Sequence, residues 1–483
     1  MLKRLVGFII ATAWMLNAGA QEQTADSIPI TQRPVQAVGE VLVVNGIIHC
    51  LGRYVLEEPF SQTTMRSIRH NFHSKFAWDD DNFYVNQFGH AYQGSLYFNA
   101  ARSNGLSFLQ SVPYTTFGAI SWEYLGEREQ PSINDIITTT IAGSFMGEVT
   151  HQIPQHIINE HERGARRFFK EAIAAAFNPV EGFHRLVSGR AWKVKPRDTS
   201  TLREETVEDK YSLTLGGRYV NTISNGQQGY YQPYLAFTME YGDVANDESH
   251  TKPFDFFSID GALACGHDQH LLSHLYMTGR ICSTPVVAKE KASGEFGLYQ
   301  HFFYEDTKLP GEMPRGPFPF GEMASLGPGV MFEFPQVAPH LKVEQRFFTR
   351  GIALGAVESD YYKFYNRHYN MGSGYGVSSL SKMSWTRVGD MLLKAHYMHL
   401  YTWKGYEPRD ISELVFEDNY LNVLGDRSNA RLLALSLQLH GRLSQQMALA
   451  LGTSYYSRHT HYKYHSSHHA ESFELRAGIQ WHF

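Results

Sequence analysis

The chain has 483 residues, with 43 Lys+Arg against 48 Asp+Glu and a formal net charge of −5. That near-balance argues against a nucleic-acid binder, which carries a basic stripe, and 3 cysteines are too few for a disulfide scaffold. Aromatics at 14% and charges at 19% exclude disorder, and a mean hydropathy of −0.33 excludes several apolar helical spans of about 20 residues.

Residues 1–20 read as a secretory signal. Lys3 and Arg4 precede an apolar run from Leu5 to Leu16, and Ala18 and Ala20 frame a cleavage point before Gln21. The run is short for a membrane anchor of about 20 residues, and no Cys stands at the cleavage point for lipidation. Export places Cys50, Cys265 and Cys282 in an oxidising compartment, where an odd number leaves at least one unpaired within the chain. Residues 21–70 are expected to form an N-terminal extension with a short amphipathic helix.

Residues 71–200 are expected to form a periplasmic α-helical domain. A first helix is predicted near 83–102, after Asp79, Asp80 and Asp81, which suit the positive end of its dipole. A second spans 107–125, interrupted by Pro113. A third opens at Ser132, with Asp135 completing a capping box, and is closed by Glu148. Gly143 and Gly147 give it the small-x-x-x-small spacing of close helix contact. A fourth covers 153–177 and ends at Asn178-Pro179.

Asn86, His90, Gln93 and Tyr97 share one face of the first helix. Polar groups along an apolar bundle need partners, and Arg102 and Asn134 join this set as a polar network. A catalytic or metal-binding reading brings His90 together with Glu123, Glu127 and Asp135, with Glu148 as a further candidate. The plainer reading is a structural hydrogen-bond network in which Asp135 caps its helix. No cofactor is predicted, and a metal has only this pattern behind it.

The segment 76–192 resembles an uncharacterised family of Gram-negative envelope proteins, a domain of unknown function (family 3943). The resemblance rests on Trp78-Asp79-Asp80-Asp81, Asn86-Gln87-Phe88-Gly89-His90 and the run from Tyr97 to Ser107. It continues with Trp122-Glu123-Tyr124, Pro131 to Asp135, Gly147-Glu148 and Asn178-Pro179. It implies no activity. A weaker resemblance links the order of His, Glu, Ser-x-x-Asp and Gly-Glu to VanZ-like membrane proteins.

From 205 to 483 the pattern has period two, as a transmembrane antiparallel β-barrel of about twelve strands requires. Leu433, Leu435, Leu437 and Leu439 alternate with Ala434, Ser436, Gln438 and His440. The last segment alternates from Phe473 to Phe483, and Trp481 with the terminal Phe483 resembles the assembly signal of outer-membrane barrels. A soluble β-sandwich also alternates, but its outward positions are not so aromatic. Asp260, His274, Arg280, Glu295, His301, Glu333, Lys342, Glu344, Arg346 and Arg350 fall on the lumen side. They form either an ion-pair network or a catalytic set in which His274 or His301 works with Asp260 and Ser258 or Ser273. His459, His461, His465, His468 and His469 crowd one late loop and are weak metal candidates.

The expected whole is an α+β multidomain chain in the outer membrane of a Gram-negative bacterium, with its helical domain in the periplasm. That domain caps or gates the barrel, or docks an envelope partner. The rival is a lipid-modifying enzyme using the His90 group. Expected partners are outer-membrane lipids, the barrel assembly machinery and a periplasmic protein, with no nucleic acid.

Overall fold

The structure, a computed structural model, describes residues 32–79, 81–194, 210–222, 229–242, 250, 252–264, 271–289, 291–306, 318–362, 367–406 and 422–483. The expected leader, with Ala18, Ala20 and Gln21, lies outside the described residues, as does Cys265. Cys50 and Cys282 are unpaired. The chain divides into a helical unit, Met1–Asp79 with Gly89–Glu205, and a barrel unit, Asp80–Phe88 with Thr206–Phe483.

The helical unit has seven described helices: α1 Pro34–Tyr54, α2 Met65–Asn71, α3 His90–Ser103, α4 Phe108–Ser121, α5 Ile133–Ile157, α6 Gly164–Phe177 and α7 Pro179–Val187. The short amphipathic helix expected before residue 71 is instead the 21-residue α1, apolar and long enough to cross a membrane by length and composition. Ala37 and Val41 of α1 bury against Ala101 and Leu106, and against Tyr97 and Ala100. This packing makes α1 part of the helical unit. α4 runs through Pro113 rather than breaking there. Its Ser107–Gln110 capping box fixes the start, so losing one intrahelical bond at Pro113 is tolerated. α5 continues past Glu148 and through Pro154 to Ile157, and the break falls at 158–163 rather than near 150. Asn178 Oδ1 accepts from the Glu181 amide at 2.9 Å, and Pro179 takes the first position of α7.

The small-residue spacing acts where α3 meets α5. A Cβ on Gly94 would stand 2.0 Å from the Thr139 carbonyl oxygen, and one on Gly143 would stand 2.6 Å from Gly94 Cα. The two backbones touch, which only glycine permits.

The barrel strands are β1 Lys210–Thr222, β2 Tyr230–Tyr241, β3 Phe257–Ala264, β4 Leu272–Lys289, β5 Ala292–Glu305, β6 Phe320–Ala338, β7 Leu341–Glu358, β8 Tyr369–Trp385, β9 Gly389–Tyr401, β12 Ser428–Arg442, β13 Met447–Tyr462 and β14 His468–His482. The short pair β10 Gly405–Tyr406 and β11 Gly425–Asp426 forms a separate parallel ladder. Twelve antiparallel strands close when β14 pairs with β1, Trp481 opposite Leu213 and Ile479 opposite Leu215. The Phe483 amide donates to the Tyr211 carbonyl at 3.1 Å and extends this seam. Closure leaves no strand edge, and an even strand number with an apolar outer band is the architecture of outer-membrane barrels.

Burial follows the pleat but is inverted relative to a soluble protein. On β12 the outward Leu435 and Leu439 are each 42% exposed, while the inward Ala430 and Leu432 are buried. Short connections at 289–292, 338–341, 385–389 and 442–447 lie at one end, and longer ones at 305–320, 358–369 and 401–428 lie at the other.

Residues 81–88 were expected in the helical domain, yet they belong to the barrel unit. Phe83 packs on Tyr304 and Tyr369 with ring centroids 5.7 and 5.3 Å away, and Phe88 packs on Tyr304 at 6.0 Å. The Tyr369 hydroxyl donates to the Asp81 carbonyl at 2.8 Å. Tyr304 and Tyr369 are fully buried. They sit at the long-connection end of β5 and β8.

Candidate functional site

The helical unit gathers its buried polar groups where α3 and α5 begin. His90 opens α3 directly after a π-helical turn, Val85–Gly89. Asp135 lies in the first turn of α5. His90 Nε2 stands 3.4 Å from Asp135 Oδ1, both side chains being buried. Asp79, which the sequence reading treated only as part of an acidic run, completes the group. One donor atom each from Asp79, His90 and Asp135 lies within 4.8 Å of the others. Among the described residues this is the one His/Cys/Asp/Glu group so arranged.

The surrounding hydrogen bonds hold these groups in place. The Asp79 amide donates to Asn134 Oδ1 at 2.9 Å and Ser132 Oγ at 3.1 Å. The Ser132 hydroxyl donates to Asn134 Oδ1 at 2.8 Å, and Asn134 Nδ2 donates to Asp135 Oδ1 at 2.7 Å. The Ser132–Asp135 capping box does not form. Instead Glu123 Oε2 accepts from the Ser132 amide at 2.5 Å and satisfies the helix start from another element. Glu127 Oε1 accepts from the Trp122 indole at 2.6 Å. Burial, with the Asp79 carboxylate adding to it, pushes the Glu127 carboxyl up to about 8, although the indole bond opposes this. Burial likewise holds His90 below its ordinary value, against the pull of Asp79.

Of the four groups expected to converge, the structure therefore brings His90 and Asp135 together and assigns Glu123 and Glu127 to neighbouring bonds. Glu148 does not join them. It forms a buried pair with Arg102, Nε to Oε2 at 2.8 Å and Nη2 to Oε1 at 3.1 Å, supported by Gln152 Nε2 at 3.0 Å. The polar stripe of the first helix divides. Gln93 Nε2 donates to the Tyr97 hydroxyl at 2.6 Å, and that hydroxyl donates to Asn45 of α1. Asn86 lies in the barrel unit, where its Nδ2 donates to the Asp81 carbonyl at 3.3 Å.

The barrel lumen holds matched charges. Arg280 bonds Asp255 at 2.7 Å and Glu295 at 2.8 Å. Arg346 bridges Glu240 at 2.5 Å and Glu344 at 3.1 Å, Lys342 pairs with Glu333, and Arg350 meets Glu322 at 2.5 Å. Of the catalytic set, His274 and Asp260 meet, Nε2 to Oδ1 at 3.5 Å, and Lys394 holds the other Asp260 oxygen at 2.5 Å. Ser273 accepts from Arg218 at 2.6 Å, and His301 Nδ1 stands 3.2 Å from the Thr278 hydroxyl. A cavity of about 440 Å³ reaches the short-turn end, lined by Lys210, Glu240, Lys382, His440, His482 and Phe483 among others. In the other half, Phe320, Val357, Met398, Leu400 and Leu432 form an apolar cluster within the barrel.

The late histidines separate. His468 Nδ1 faces Asp360 at 3.1 Å, His465 stacks on Tyr361 at 4.4 Å, and His461 bonds Ser467 at 2.8 Å. His459 and His469 are ring neighbours at 5.9 Å, with His469 also 3.9 Å from Glu471.

Residues 75–180 match DUF3943, a domain of unknown function. The DUF3943 segment carries Asp79, His90, Glu123, Glu127, Asn134, Asp135 and Glu148, so the whole polar centre lies inside it. No curated protein matches the chain. Among solved structures, the chain is similar to the KdgM porin, with 8% identity, 56% of this chain and 99% of that one covered, and a TM-score of 0.25. It is similar to the NanC porin at 9% identity, covering 55% of this chain and 98% of that one, with a TM-score of 0.26. It is also similar to OprD from Pseudomonas aeruginosa, at 8% identity, with 57% and 94% covered and a TM-score of 0.19.

Proposed function

We propose that this chain is an outer-membrane protein whose barrel is a plugged anchor and whose helical unit works on a lipid surface. The observation that carries this reading is the amphipathic face of α6 and α7. Phe168, Phe169, Ile173 and Phe177 of α6 are exposed, as are Phe183, Leu186 and Val187 of α7 and Trp192 just beyond it. Arg163, Arg166, Arg190 and Lys193 stand among them in the same segment. Bulky apolar rings beside cationic side chains suit a helix lying at an acyl–headgroup boundary with anionic lipids. A bilayer is within covalent reach, because the 15 residues between Val194 and Lys210 span at most about 50 Å. The plugged-anchor part rests on the ion pairs and apolar cluster inside the lumen.

The test uses the full-length protein in proteoliposomes with brominated acyl chains. Trp192 emission, read as the difference between wild type and Trp192→Phe, is expected to be quenched, and Phe183→Asp with Phe168→Asp is expected to abolish that quenching. Unquenched Trp192, or cross-linking of this face to a protein instead, overturns the lipid reading. A quencher confined to one leaflet reads whether the face lies on the periplasmic side, as the sequence suggests. Ion conductance near that of an empty bilayer is expected of the plugged barrel, and a stable open-pore conductance overturns that part.

A second reading, a lipid-modifying enzyme, draws on the buried His90–Asp135 pair, the arrangement by which a carboxylate orients a basic imidazole. Envelope lipids compared by mass spectrometry between wild type, a deletion and His90→Ala test it. A change in the deletion that His90→Ala fails to reproduce removes His90 from the chemistry.

A further inference from the structure

We propose that Asp79, His90 and Asp135 bind one divalent metal ion of the Zn²⁺ or Mn²⁺ class inside the helical unit. This inference does not depend on the lipid-surface reading. The three residues come from three separate places: the chain before the π-helical turn, the start of α3 and the first turn of α5. Their donor atoms nevertheless fall within 4.8 Å of one another. An ion with bonds of about 2.1 Å keeps its ligands about 3–4 Å apart, so small side-chain rotations complete three protein bonds. Three protein ligands leave a remaining position for water or substrate.

The donor types fit the class. One imidazole with two carboxylates is a nitrogen–oxygen set without thiolate, suited to Zn²⁺ or Mn²⁺ and not to Cu⁺. The second layer is present as well. Asn134 Nδ2 donates to Asp135 Oδ1 at 2.7 Å, and Asn134 Oδ1 takes the Asp79 amide at 2.9 Å. One asparagine thus orients two of the three ligand residues, the outer-shell role that metal sites need. Burial adds to the argument. His90 and Asp135 are within a few per cent of fully buried, and a second carboxylate aimed at the same point raises the repulsion that a cation relieves.

The experiment uses full-length protein in detergent, stripped with EDTA, dialysed and titrated with Zn²⁺ alone and Mn²⁺ alone. Bound metal is counted by elemental analysis. One ion per chain is expected, together with an upward shift of the helical unit's melting transition. Asp135→Asn and His90→Gln are expected to weaken binding at least tenfold, and Asn134→Ala by about 10–100-fold. The variant with His459, His461, His465, His468 and His469 all changed to Ala is expected to bind as wild type does. Far-UV circular dichroism of the stripped variants shows whether they fold. If Asp135→Asn or His90→Gln unfolds, Asn134→Ala carries the comparison. No bound ion at micromolar metal overturns the proposal, as does binding that survives His90→Gln but vanishes with the loop histidines.

Discussion

The barrel lumen and the helical unit both bury charge, and at one point of the helical unit it is done differently. In the lumen carboxylates meet cations from neighbouring or facing strands: Glu322 meets Arg350, Glu295 meets Arg280, and Glu240 meets Arg346. The helical unit also has pairs of that form, Arg102–Glu148 and Glu171 with Arg167 and Arg185. Asp79 and Asp135 turn instead toward one imidazole. Matched pairs lock a structure because each partner repays the other's desolvation. Two carboxylates beside one imidazole make a nitrogen–oxygen donor set, which is the geometry the metal proposal draws on.

The comparison breaks most visibly in the lumen. Arg350→Ala leaves Glu322 fully buried without its guanidinium, and about 3–5 kcal/mol of barrel stability is expected to be lost. The double variant Arg350→Met with Glu322→Leu is expected to recover most of this, read as the temperature at which the folded barrel loses its anomalous gel mobility. A double variant as damaged as the single would show that Arg350 does more than balance Glu322.

In the helical unit the corresponding break is steric. Gly143→Leu drives a side chain into the backbone of Gly94, with an expected loss of about 1–3 kcal/mol or more. The effect should appear in the helical transition and leave the barrel's mobility shift unchanged. A simultaneous loss of both would mean that the two units do not unfold separately.

The most graded effect concerns protonation. Glu127 holds its proton up to about pH 8 in the fold, well above an unfolded glutamate near about 4.3. Between those values the folded state binds the extra proton, so stability falls as pH rises through the window, by at most about 1.4 kcal/mol per pH unit. The helical melting temperature of EDTA-treated protein is expected to fall from pH 5 to pH 8 and to flatten in Glu127→Gln. An unchanged slope in the variant would assign the dependence to another group.

Strand alternation made the barrel legible because the pleat has period two and lipid sits on one side. The lumen charges at Asp260, Arg280, Glu295, Arg346 and Arg350 followed from the same register. Gly143 was legible as a contact residue because small residues at helical spacing have one steric meaning, although its partner Gly94 was not named. The helix boundaries read less well. Pro113 reads as an interruption and residue 153 as a helix start, yet Pro113 and Pro154 both lie within longer helices. At Pro113 the Ser107–Gln110 capping box offsets one lost hydrogen bond. The segment 81–88 went unrecognised as part of the barrel unit, since Phe83, Tyr84 and Phe88 look like any apolar helix start.

The sequence by itself determined the period-two pattern of about twelve strands, the inward charges, the aromatic end at Trp481 and Phe483, and the presence of polar groups in an apolar helical domain. Those are local properties, set by side-chain direction every two or four residues. Only the tertiary structure decided which polar groups meet. His90 and Asp135 lie 45 positions apart, and Asp79 joins them from outside either helix. Convergence at a point depends on how α3 crosses α5 at Gly94 and Gly143. No residue spacing encodes that crossing.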